Sequence, residues 1–149
     1  MTNSPADRNG LLVIGYGNSL RGDDGAGPAA AGLLREQGFD ALAVHQLTPE
    51  LAERIAAART VFFLDADAAL PPGEVSVAKL AHAESAAVPS MEHHASPAAL
   101  LLLARDVYRS TPDAWLIAMG GESFELANGL SETARRAISQ AVAEVLKRS

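Results

Sequence analysis

The stretch VIGYGNSLRGDDGAG, Val13 to Gly27, runs from an apolar segment through Gly15 and Gly17 to two adjacent carboxylates, Asp23 and Asp24. With Leu11 and Leu12 in front of it, the run Leu11–Gly17 reads as a strand buried on both faces, because no polar residue interrupts it. A strand feeding a Gly-x-Gly turn is also how a dinucleotide-binding fingerprint begins. Here the third glycine of that fingerprint is replaced by Leu20, and the helix starts later than the fingerprint demands. A pyrophosphate would also meet Asp23 and Asp24 in a low-dielectric crevice, a like-charge contact that costs several kcal/mol. The same carboxylates suit a cation. The loop is read as one that holds a metal.

Asp23 or Asp24 is expected to cap a helix through GPAAAGLLREQG that stops at Gly38. Ala41–Leu47 reads as a second strand, and TPELAERIAAA as a helix with Thr48 as N-cap and Pro49 at its first position. TVFFLDA, Thr60–Ala66, is β-branched and aromatic, a third buried strand ending on Asp65. After the turn Leu70–Gly73, the segment Glu74–Leu80 alternates as a strand near an edge does. Ala81 to Glu92 is small and polar and reads as a loop. Ser96 caps and Pro97 starts the helix AALLLLARDVY, and Ala114–Gly121 is a strand ending in glycines. The last helix starts from Ser131, with Ala134, Ile138, Ala141, Val142 and Val145 at the helical period. The order βαβαββαβα predicts an α/β fold, a three-layer α/β/α sandwich with a mostly parallel, roughly five-stranded sheet. One domain over residues 1–149 is expected, with residues 1–9 flexible.

At 149 residues the chain can bury one proper core. A formal charge of -6, with no Lys or Arg cluster along one helix, argues against nucleic acid as a partner. The absence of cysteine removes disulfides, Cys–zinc sites and thiol nucleophiles together. The opening MTNSPADRN has no apolar signal core, and the apolar run near Leu100 to Ala104 is too short to cross a bilayer. A soluble cytoplasmic protein is the expectation.

In open α/β sheets ligands bind at the carboxyl ends of the strands. Asp24 follows the first strand, Asp65 ends the third, and His93 lies in the loop after Glu74–Leu80. Two carboxylates and an imidazole on one edge make an oxygen/nitrogen site for a divalent transition metal. Each residue also has a plainer reading. Asp23 and Asp24 would balance a helix dipole, Asp65 would close a turn, and His93 and His94 would be solvated.

Beyond these residue-level readings, GYGNSLRGDDGAG resembles the N-terminal signature of the hydrogenase maturation proteases: a strand, Gly-x-Gly-Asn, a short loop, then Asp-Asp/Glu-x-x-Gly. FFLDADAALPPGEV is similar to that family's second block, and HHASPAALLLLA to its third, a His shortly before a helix. GESFELANGLSETARRAI resembles its closing segment. The resemblance implies an endopeptidase that removes the C-terminal peptide of a NiFe hydrogenase large-subunit precursor once nickel is in place. It implies metal contacts from Asp24, Asp65 and His93, nickel brought in by the precursor, and a monomer. His94 stands beside His93, and His93 is preferred for its spacing to the helix. Asp67 rivals Asp65, but Asp65 directly ends the apolar strand. Where many members carry Gly-Gly-Thr-x-Gly after the second strand, this chain has HQLTPEL, His45–Leu51, which bears on the choice of precursor.

No Gly-x-Ser-x-Gly elbow and no HExxH motif occurs, so metal-assisted hydrolysis is the chemistry that remains. Two rivals use the same residues or the same loop. One is a nickel-dependent checkpoint that grips the precursor without cutting it, and the other a nucleotide-binding Rossmann-like domain.

Overall fold

The computed structural model describes residues 9–81, 96–125 and 129–149. In chain order the elements are β1 (Leu11–Tyr16), α1 (Ala26–Glu36), β2 (Asp40–Val44), α2 (Leu51–Ala57) and β3 (Thr60–Ala66). They continue with β4 (Val75–Leu80), α3 (Pro97–Tyr108), β5 (Asp113–Met119) and α4 (Glu132–Arg148). The strands form one sheet in the order β2-β1-β3-β5-β4. The first four pair in parallel, and β4 runs antiparallel to β5 at the edge. The α/β/α sandwich expected from the sequence is the fold observed.

Alternation along the central strands builds two cores, one on each face of the sheet. Leu11, Val13, Phe62, Leu64, Ile117 and Met119 face α1 and α4. Leu12, Ile14, Val61, Phe63 and Ala114 face α2 and α3. Both faces are covered, which is why β1 and β3 read as unbroken apolar runs. β4, by contrast, is half exposed along its length, as its alternating sequence implied.

Three local expectations need correction. Neither Asp23 nor Asp24 caps α1, whose N-cap is Gly25 without a side-chain bond. Both acids sit instead in a separate 3-10 turn, Gly22–Gly25, and their carboxylates are used elsewhere. Thr48 does not cap α2 either. Its hydroxyl donates to Glu50, and Leu51 and Ala52 bond three residues back, so a turn precedes the helix proper. Finally, β2 ends at Val44, because Leu47 turns away to fill the core under α2 and α3. Ser96 and Ser131 do cap α3 and α4, accepting from Ala99 N and Ala134 N at 3.1 and 3.0 Å.

Candidate functional site

Chain direction divides between β1 and β3. The chain leaving β1 goes to β2 on one side, whereas the chain leaving β3 goes on to β4 and β5 on the other. Such a switch point opens a crevice at the carboxyl ends of the two strands. Asp24 and Asp65 are carried to this edge, and the Gly22–Gly25 turn lies against β3.

Asp24 is held by its own loop. Asn18 N donates to its Oδ2 at 2.7 Å, and Asn18 Oδ1 accepts from Leu20 N at 2.9 Å. The loop can fold back this tightly because of Gly17, which has φ +147°. A Cβ there would lie 2.0 Å from the Asp24 carbonyl oxygen. Gly15 does a different job. A Cβ on it would sit 2.0 Å from the Gly27 carbonyl oxygen, so this glycine lets α1 lie directly on β1.

Asp65 is partly buried, and its carboxyl is pushed up from the usual 3.8 to about 6. Burial is the main cause, with the charges of Asp24 and Asp67 adding to it. Hydrogen bonds from the Tyr16 hydroxyl and from Ala66 N work in the opposite direction but do not win. Tyr16, the last residue of β1, is itself pushed above its ordinary pKa, first by burial and then by the Asp65 charge. The upward shift makes Asp65 a group that exchanges its proton close to neutrality. Asp67 has a plainer task. Its Oδ1 accepts from Ala69 N at 2.9 Å and closes the turn after β3.

A stability prediction follows from Asp65. Between its unfolded value, near 3.8, and about 6, the folded protein holds a proton that the unfolded chain has lost. Stability therefore falls as pH rises through that window. Asp65→Asn keeps an acceptor for Tyr16 and removes the burdensome charge. It should melt above the parent at pH 8, with the difference shrinking as pH falls toward 4. A parent whose advantage or deficit relative to Asp65→Asn is the same at both pH values would contradict this.

Asp23 is not part of the crevice. It is 1% exposed, and four donors surround its carboxylate: Ser131 N, Ser131 Oγ, Glu122 N and Ser123 N. Burial alone would raise its pKa, but the bonds from Ser131, Glu122 and Ser123 outweigh it and hold the group below the usual carboxylate range. This role was not legible in the sequence, since its partners lie 99 to 108 residues further on. Tyr16 was missed as well. It follows an apolar run and carries no motif of its own.

Asp24 and Asp65 offer hard oxygen donors, and a cation between them would relieve the repulsion that helps raise Asp65. The third expected donor, His93, lies with His94 outside the described residues. Among the described residues no group of three or more His, Asp or Glu side chains could hold a metal ion. No described helix is long and apolar enough to cross a membrane.

No protein-family model and no curated protein matches the chain. Solved structures do. A hydrogenase 2 maturation peptidase from a Thaumarchaeota archaeon is 28% identical, with 93% of this chain and 96% of that one covered at a TM-score of 0.68. The NiFe hydrogenase maturation protease HycI from Thermococcus kodakarensis is 26% identical, covering 92% of each chain at 0.68. HybD from the same organism, also a NiFe hydrogenase maturation protease, shares the fold at 0.70 with 24% identity over 93% of this chain and 97% of that one. Over more than nine-tenths of its length, the structural neighbours of this chain are NiFe hydrogenase maturation proteases, and it shares their fold.

Proposed function

We propose that the chain is an endopeptidase that removes the C-terminal peptide of a NiFe hydrogenase large-subunit precursor after nickel insertion. The observation that carries this reading is the electrostatic influence of Asp24 on Asp65, both set at the carboxyl edge of a sheet whose fold is shared with maturation proteases. Nickel arriving within the precursor would be held by Asp24, Asp65 and His93. There the ion would polarise the scissile carbonyl and acidify a water beside it.

The chain's own residues supply the rest. The Tyr16 hydroxyl fixes Asp65, and an aspartate left free of the ion would take the proton of that water. Asn18 N keeps Asp24 oriented toward the edge. His45–Leu51 follows β2 at the same edge, where Gly17 N donates to Val44 O at 3.2 Å, and this segment is our candidate for the choice of precursor.

The test is incubation of the purified chain with a nickel-loaded precursor, followed by mass spectrometry of both products. A precursor shortened from its C-terminus, together with the released peptide, is expected. A precursor that is bound but stays intact would make the chain a checkpoint rather than a protease.

A further inference from the structure

We propose that Asp23 is a positioning residue, whose buried carboxylate anchors the Asp24 turn to the segment ahead of α4 and so sets where Asp24 stands. This deepens the functional reading, since it rests on Asp24 being a site residue. The two neighbouring acids would then divide the work: Asp24 faces the crevice loop, and Asp23 holds that loop in place.

The bonds around Asp23 define the anchor. Oδ1 accepts from Ser131 N at 2.8 Å. Oδ2 accepts from Glu122 N at 2.7 Å, Ser123 N at 3.2 Å and Ser131 Oγ at 2.7 Å. Asp23 N donates in return to Ser123 O at 2.8 Å, so backbone and side chain grip the same segment. Gly121 leaves the space this requires, because a Cβ there would lie 2.5 Å from Asp23 Cβ.

Four donors on two oxygens demand a carboxylate. An amide in its place would turn its NH2 group against at least one backbone N–H and leave that donor unpaired. With its oxygens so engaged and buried, Asp23 has no place in the crevice. Its immediate neighbour in the chain is Asp24, so a shift of the anchor moves the candidate site residue directly. Ser131 joins this network to the helix, since its Oγ donates to Asp23 and also accepts from Ala134 N. Glu122, Ser123 and Ser131 thereby brace a loop made by residues near the start of the chain.

The amide of Asn18 reports on Asp24, because it donates to Asp24 Oδ2. The amide of Ala134 reports on the first turn of α4. Asp23→Asn, Ser131→Gly and Ser131→Thr would be compared in the full chain by amide hydrogen exchange and by cleavage of a nickel-loaded precursor. In Asp23→Asn and Ser131→Gly, exchange at Asn18 should accelerate about tenfold or more. In the same variants kcat should fall about tenfold to a hundredfold, with KM changed by less than about threefold. Ser131→Thr keeps both hydroxyl bonds and should restore the parent values.

Unchanged protection of Asn18 in the first two variants would overturn the proposal, even if Ala134 exchanged faster, since that pattern belongs to a helix cap alone. Should Asp23→Asn fail to fold, Ser131→Gly decides, because glycine is a tolerable N-cap. If the unmutated chain cuts no precursor, the functional reading fails by itself, and exchange at Asn18 still decides the anchor.

Discussion

Asp24→Asn and Asp65→Asn should each slow cleavage of a nickel-loaded precursor by roughly a hundredfold to a thousandfold while leaving the fold intact. Asparagine matches aspartate in size, and its carbonyl can still accept from Asn18 N at position 24 or from Tyr16 at position 65. What each substitution removes is the charge that a cation needs. The fold should not suffer at position 65, because the ionised Asp65 is disfavoured by its own burial and by Asp24. His93→Ala is expected to behave like the two asparagine variants, and His94→Ala like the parent. The reverse pattern would reassign the imidazole donor, whereas full activity in Asp24→Asn would be fatal to the metal-gated mechanism. Single-turnover cleavage and thermal melting of the same samples separate the two effects.

Gly17→Val should cost more in activity than in stability. Its Cβ would meet the Asp24 carbonyl oxygen at 2.0 Å, and φ +147° is a conformation that branched residues avoid. The φ strain alone costs on the order of 1–3 kcal/mol, and the overlap with a backbone oxygen must be relieved by a shift of the loop, which is exposed at Leu20 and has room to move. The atom it pushes, however, belongs to Asp24 itself, so the folded fraction should cleave about a hundredfold more slowly. Gly15→Ala is the contrasting case. Its methyl would meet both the Gly27 carbonyl oxygen and Ala31 Cβ, at 2.0 and 2.7 Å, and would lift α1 from β1. That variant should lose its melting transition or shift it far downward. Proportional losses of activity and stability in Gly17→Val would reduce Gly17 to a folding residue.

Much of the fold was legible because its elements are locally over-determined. β3 was read with the same ends it has in the structure, since Thr60–Ala66 is β-branched, aromatic and bounded by polar neighbours. Ser96–Pro97 and Ser131 marked helix starts by the chemistry of their side chains, and both serines do cap. The misreadings occur where a side chain had a stronger alternative partner. Thr48 bonds Glu50 instead of a helix amide, and Asp23 is claimed by a segment about a hundred residues away. Long-range partners of this kind leave no periodic trace in a sequence. Asp24 and Asp65 stood out as candidates because the first follows a buried strand and the second lies at the end of one. The Tyr16 bond that tunes Asp65 did not, since it depends on the lateral pairing of β1 with β3.

The most direct test of nickel-gated processing at the Asp24–Asp65 crevice compares the mass of one precursor, with and without nickel, after incubation with the unmutated chain. Shortening of the nickel-loaded form alone is the predicted result, because without the cation the charge of Asp24 disfavours an ionised Asp65. Efficient cutting of the nickel-free precursor would contradict the account.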